Sequence, residues 1–268
     1  MTPTIRLIGL PTDSNSSFLR GPAEAPGFIR AQLFSEVGNM ATESGLEIGE
    51  HFVIDDAGDL PLAETASDDI LIEDAVRTAI EDNCRPLCIG GDHSVTYPIV
   101  KAVAAAYGPI NILHFDAHPD LYDELDGNPR SHGSPFARIM EAGLATRLVQ
   151  VGIRTLNRHQ REQAARFGVE IVEMRHFSAD VVPLLGGPLY VSMDLDGIDP
   201  AFAPGVSHHE PGGLSVRDVL NVLARQDATV VGADVVELNP SRDVNGVTAV
   251  VAAKLSKELM GLMARPVR

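Results

Sequence analysis

The 268-residue chain has no tryptophan, only two cysteines, and 21 Lys and Arg against 37 Asp and Glu. Each shortage removes a class of function. A formal charge of −16 leaves no surplus of cations to neutralise phosphates, which excludes a nucleic-acid partner and an anionic membrane surface. A cationic small molecule suits the balance better, although acidity also serves solubility alone. Cys84 and Cys88 are separated by three residues in Cys84-Arg-Pro-Leu-Cys88. That is neither the spacing of a redox pair nor half of a four-cysteine zinc site, so both read as reduced packing residues. No apolar run approaches the roughly 18 residues of a spanning helix, so a membrane protein is excluded. The strand-like Ile5–Leu10 begins almost at once and leaves no room for a signal segment, so the expectation is a cytoplasmic chain.

What is present is a chain with 44% hydrophobic residues, long enough for one large core, and residues 1–268 read as a single domain. Short β-branched runs recur at Ile5–Leu10, Phe52–Asp55, Leu87–Ile89, Ile110–Phe115, Leu148–Gly152, Val169–Glu173, Leu189–Met193 and Thr229–Ala233. Between most of them lies helical spacing, at Asp69–Asp82, Val95–Tyr107, Pro135–Ala142, Arg158–Phe167, Val216–Gln226 and Val247–Met263. Strand and helix in alternation imply an α/β fold of three layers, α/β/α, around a mainly parallel sheet of about eight strands. The Pro- and Gly-rich stretches at residues 21–27 and 204–213 read as ordered loops at the sheet's mouth. In such folds ligands bind beyond the carboxyl ends of the strands.

The residues that follow the strands are the ones that carry chemistry. Asp116-Ala-His118-Pro-Asp120 follows the fourth run, and alternate side chains of extended backbone share a face, so its three polar groups can converge. Asp194-Leu-Asp196 repeats that spacing after the seventh run. A tight Gly90-Gly91 turn presents His93 after the third. Four carboxylates in one pocket repel each other by several kcal/mol unless cations neutralise them. Two divalent metals resolve the conflict, and carboxylate-rich ligation with two imidazoles and no thiolate suits manganese. Bridging carboxylates would set the ions about 3.5–4 Å apart, as in two-metal hydrolases. A calcium loop at Asp194–Asp199 fails for want of Gly and Glu at the required positions, and Gly90-Gly91 lacks the third glycine of a dinucleotide turn.

Taken together, Gly90-Gly-Asp-His-Ser94, Phe115-Asp-Ala-His-Pro-Asp120 and Ser192-Met-Asp-Leu-Asp-Gly-Ile-Asp-Pro200 resemble the three signatures of the ureohydrolases, the arginase and agmatinase family. The resemblance runs from Asn15 to Lys254 and is nearest to plant-type arginases, most tellingly at residues 205–214 and 232–240. It implies a binuclear manganese amidinohydrolase that turns L-arginine into L-ornithine and urea, with an agmatinase as the alternative. One ion would be held by His93, Asp116, Asp120 and Asp194, the other by Asp116, His118, Asp194 and Asp196. Asp120 would also move a proton to the departing amine, His132 would shuttle protons, and Glu237 would pair with the guanidinium. The partners implied are a cationic guanidino substrate and further copies of the chain, in trimers or hexamers.

Candidates for the rest of the substrate are Asn128, Arg130, Asn157 and His208, with Arg130 offering the strongest pairing for a carboxylate. His114 shares the face of Asp116 and could support the metals from beneath. Two features depart from arginine-specific animal and bacterial arginases. Tyr122 stands where they have an Asn, and Gly152-Ile-Arg-Thr155 lacks the acidic residue that holds an α-amino group.

Overall fold

In the computed structural model, which describes residues 2–265, eight strands form one sheet. They are β1 (Thr4–Gly9), β2 (Val53–Asp59), β3 (Cys84–Ile89), β4 (Ile110–Phe115), β5 (Ala145–Ile153), β6 (Glu170–Glu173), β7 (Pro188–Asp194) and β8 (Thr229–Val236). Their spatial order is β2-β1-β3-β8-β7-β4-β5-β6, and every pairing is parallel. The strands that carry the expected ligands, β3, β7 and β4, thereby share the centre of the sheet with β8.

A parallel sheet must be covered on both faces, because each crossover lays its helix on one of them. The helices are α1 (Ala25–Leu33), α2 (Asp68–Glu81), α3 (Thr96–Tyr107), α4 (Pro135–Glu141), α5 (Arg158–Phe167), α6 (Val216–Arg225) and α7 (Val247–Ala264). Alternation along β3 shows how the chain serves two cores: Leu87 and Ile89 pack with α1, α6 and α7, while Cys88 points to the layer of α2, α3, α4 and α5. Both cysteines are buried and unpaired, as packing residues should be. Among the described residues, no helix is long and apolar enough to cross a membrane.

The stretch 21–27 is not a loop throughout. Residues 22–24 form a 3-10 turn and α1 starts at Ala25. Pro22 and Pro26 each lie in the first turn of their helix, where the missing N–H has no intrahelical carbonyl to meet and the fixed φ already suits the geometry.

Candidate metal centre

Four neighbouring strands end at one level. Ile89 of β3 pairs with Val235 of β8, Val235 with Met193 of β7, and Met193 with Phe115 of β4. The residues after them therefore emerge side by side. Gly90 and Gly91, both with φ of +83°, turn the chain sharply after β3, and a Cβ on Gly91 would lie 2.9 Å from the carbonyl of Leu10. Asp92 then caps the short 3-10 turn that begins at His93, accepting from Ser94 N at 3.0 Å. After β4 and β7, Gly197 lets the two ligand loops touch: a Cβ there would lie 2.7 Å from Asp116 N.

His93 is fully buried, and its Nδ1 lies 3.2 Å from Asp116 Oδ2, 3.0 Å from Asp120 Oδ2 and 3.1 Å from Asp194 Oδ2. Its tautomer follows from its other nitrogen. Ser192 donates its one hydroxyl hydrogen to Asp234 Oδ1 at 2.7 Å, so at 3.0 Å it can only accept from His93 Nε2–H. The lone pair of the neutral imidazole is then Nδ1, a buried atom without a hydrogen-bond partner, aimed at three carboxylates. Asp234, itself fully buried, also accepts from Tyr190 at 2.6 Å and Thr96 at 2.8 Å, which pins this support from three sides.

A second group shares one member with the first. His118 Nδ1 lies 3.3 Å from Asp116 Oδ1 and 3.1 Å from Asp196 Oδ2. Asp116 thus presents one oxygen to the His93 group and the other to the His118 group. Asp194 gives Oδ2 to the His93 group, while its Oδ1 accepts from Asp196 N at 2.7 Å. His114 donates to Asp116 from beneath. The argument starts at Pro119, whose carbonyl can only accept, so the Gln150 atom 2.6 Å from it is the amide nitrogen. That nitrogen also gives to His114 Nδ1 at 3.1 Å, which leaves Nε2–H to donate to Asp116 Oδ2 at 2.8 Å. Both ring nitrogens of His114 are thereby engaged, although it lies close enough to His93 and Asp116 to share a cation with them.

The charge balance of this cluster calls for cations. Burial, with Asp196 and Asp116 close by, pushes the Asp194 carboxyl well above its usual range. Asp196 rises to about 6, again through burial and Asp116, although His118 pulls the other way. Burial opposes charge on His93, yet Asp116, Asp120 and Asp194 raise its pKa well above that of a free imidazole. Protons would have to neutralise the site if nothing else did. Two like charges 4 Å apart cost about 4 kcal/mol at an effective dielectric near 20, so divalent cations displacing those protons relieve a large strain. The donor set, carboxylates and imidazole nitrogens around one shared Asp116, fits a pair of them.

A cavity of about 280 Å³ opens above the cluster, with His118, Asp120, Asp194 and Asp196 among its lining. Glu237 enters from the end of β8 with a φ of +66°. Its Oε1 accepts from His93 N at 2.9 Å and from His132 Nδ1 at 2.8 Å. Burial alone would depress His132, but the Glu237 carboxylate lifts its pKa to about 9. On the other side of the ring, Nε2 accepts from Ser17 N at 3.2 Å and lies 2.8 Å from the Ser17 hydroxyl. His208 also lines the cavity, with its ring 5.9 Å from that of His118 and 5.4 Å from that of His132. Burial, then the charge of His132, lowers its pKa.

Three expected substrate contacts lie elsewhere. Arg130 is not in the cavity lining: its Nη2 lies 2.7 Å from Asp69 Oδ1, its Nε donates to the same carboxylate at 3.1 Å, and its guanidinium stacks on Tyr97. The carboxylate partner expected from a substrate is already supplied by α2. Asn128 is also outside the lining, giving its amide to Asn15 at 2.9 Å and accepting from Arg130 N. Asn157 caps α5 and donates to Tyr122 OH at 2.6 Å, so it bears on the cavity only through that ring. Sequence reasoning gave no role to Asp234, Gln150 or Glu210. An acid inside the otherwise apolar β8 was the one signal available for Asp234.

The arrangement, two carboxylate-rich groups at the carboxyl edge of a parallel sheet, is that of a metal-dependent hydrolase. The sequence profile of the Arginase family matches residues 3–261, and the chain belongs to this family. "Arginase 1, mitochondrial" of Arabidopsis thaliana is 54% identical over 94% of this chain and 79% of its own length. The solved structure of an arginase from Medicago truncatula, 46% identical, superposes with a TM-score of 0.94 and covers 98% of this chain and 88% of its own. A guanidino acid hydrolase of Homo sapiens is 34% identical over 94% of this chain and 76% of its own length. The chain is therefore a hydrolase acting on guanidino substrates. The expectation of a cytoplasmic chain is overturned here, because plant arginases about half identical to it are named mitochondrial. Compartment is set by targeting signals, on which the residues of the first strand are silent.

Proposed function

We propose that residues 1–268 act as one binuclear manganese arginase unit that hydrolyses L-arginine to L-ornithine and urea, in trimers or hexamers. The observation that carries this reading is the pair of donor groups sharing Asp116 at the floor of a cavity whose wall holds Glu237 and His132. His93, Asp116, Asp120 and Asp194 would hold one ion, and Asp116, His118, Asp194 and Asp196 the other. Such ions supply Lewis acidity, which makes water a strong nucleophile at neutral pH. Everything else falls to side chains.

A guanidinium remains protonated and is resonance-stabilised, so the site must hold a cation while its central carbon is attacked. Glu237, buried and ionised beside His132, offers the charge for that pairing. Asp120, within the lining, takes a proton from the attacking water and hands it to the departing amine. His132 connects this exchange with solvent, and its pKa of about 9 keeps a proton available.

The second reading, an agmatinase, is favoured by one observation: among the described residues no Lys or Arg lines the cavity to meet an α-carboxylate. An agmatinase of Gallus gallus is also 34% identical over 94% of the chain. Urea release from arginine and agmatine, measured side by side, decides between the two. Arginine is expected to show the higher kcat/KM. An agmatine value about ten-fold above that of arginine, roughly 1.4 kcal/mol of transition-state preference, would overturn the choice.

A further inference from the structure

No acidic residue follows Gly152-Ile-Arg154. The position is taken by Thr155, which lines the cavity with a neutral hydroxyl. Arg154 turns instead to the loop of residues 205–213. Its Nε donates to the carbonyl of Glu210 at 2.7 Å, its Nη2 to the carbonyl of Asp196 at 2.7 Å, and its Nη1 to the carbonyl of Gly197 at 3.1 Å. One planar guanidinium therefore ties the backbone of Glu210 to the loop that carries a metal ligand. Asp199 secures the same loop, accepting from Gly212 N at 2.6 Å and Gly213 N at 2.9 Å. Glu210 is held in place by its main chain. Its side chain lines the cavity half-buried, and its carboxylate makes no hydrogen bond or ion pair with any of the described residues.

We propose that Glu210 is a specificity-determining residue that receives the ammonium on the tail of the substrate, so that the site selects guanidino compounds bearing an amine over guanidino acids without one. This rests on the reading of the chain as a guanidino hydrolase. The charges of the lining point the same way. In the proposed function the metal ligands and Glu237 meet the cations and the guanidinium, and among the described residues no Lys or Arg lines the cavity to attract a lone tail carboxylate. Among the described residues, Glu210 is the one carboxylate of the lining outside the proposed metal and guanidinium groups. An ammonium placed there lies far from the reacting carbon and contributes alike to ground state and transition state, so its loss should appear mainly in KM. Arginine and agmatine share that ammonium; 4-guanidinobutyrate has only a carboxylate.

The test compares the manganese-loaded wild type with Glu210→Gln, which keeps the shape and removes the charge. Urea release is followed from arginine, agmatine and 4-guanidinobutyrate, with n-butylguanidine as a competitive inhibitor that has no tail charge. KM for arginine and agmatine should rise ten-fold or more. Values for 4-guanidinobutyrate should not worsen, and inhibition by n-butylguanidine should change less than two-fold. Glu210→Asp should recover part of the loss. An equal decline for all four compounds, or no change for arginine and agmatine, would overturn the role of Glu210. A wild type that prefers 4-guanidinobutyrate would overturn it too and leave the guanidino hydrolase standing, whereas a wild type inert toward all three substrates would remove the underlying reading.

Discussion

Asp194→Ala is expected to bind manganese at least about 100-fold more weakly than the wild type and to release almost no urea at trace metal. The mutated side chain gives Oδ2 to the group around His93 and fixes the backbone of Asp196 through Oδ1. Losing a mere supporting partner of a metal ligand costs about 10–100-fold in affinity, so losing a ligand that also positions another must exceed that. Metal content per chain after dialysis, read beside activity, checks the expectation. Full turnover without bound manganese would sink the two-cation assignment. The protein should still fold, since removing one of several buried, mutually repelling carboxylates relieves charge in the metal-free chain.

The second large effect is expected for Glu237→Gln. The amide oxygen can still accept from His93 N, which preserves the turn, but the negative charge facing the guanidinium is gone. Removing one partner of a buried pair costs about 3–5 kcal/mol, so kcat/KM should fall by roughly two to nearly four orders of magnitude. His132 reports on the same change. Its pKa of about 9 exists because Glu237 outweighs burial. With that charge removed, burial is opposed only by the weaker pull of Asp92 and Asp120, so the pKa should fall and the ring become neutral at a lower pH than in the wild type. NMR titration of the His132 ring measures this directly. An unmoved pKa with unchanged kcat/KM would mean that Glu237 neither holds the substrate nor tunes the shuttle.

The parts of this site that could be read in the sequence are those set by local geometry. Asp116, His118 and Asp120 alternate just beyond a strand, Asp194 and Asp196 do the same, and the glycine turn before His93 is visible as two adjacent residues. The sheet was legible for the same reason, since alternating strand and helix patterns dictate parallel pairing. Strand ends were less so. β2 runs on to Asp59 through Asp55-Asp-Ala-Gly-Asp59, a stretch that reads as loop, because an edge strand tolerates charge on its open side.

What escaped the sequence depends on partners far away in the chain. Asp234 meets Ser192 across 42 residues, Gln150 meets His114 across 36, and Arg154 reaches Glu210 across 56. Arg130 shows the converse. It was singled out for its charge, yet charge alone does not reveal which acid lies nearest, and Asp69, 61 residues away in sequence, takes it out of the cavity. The proposed metal ligands are thus written locally, while the side chains that support them are written in the topology.

The central claim is that two cations share Asp116. Crystals grown with manganese should give two anomalous scattering peaks about 3.5–4 Å apart, one among His93, Asp116 and Asp120 and the other among Asp116, His118 and Asp196, with Asp116 touching both. A single peak in this cluster, or two peaks without a common Asp116, would contradict it.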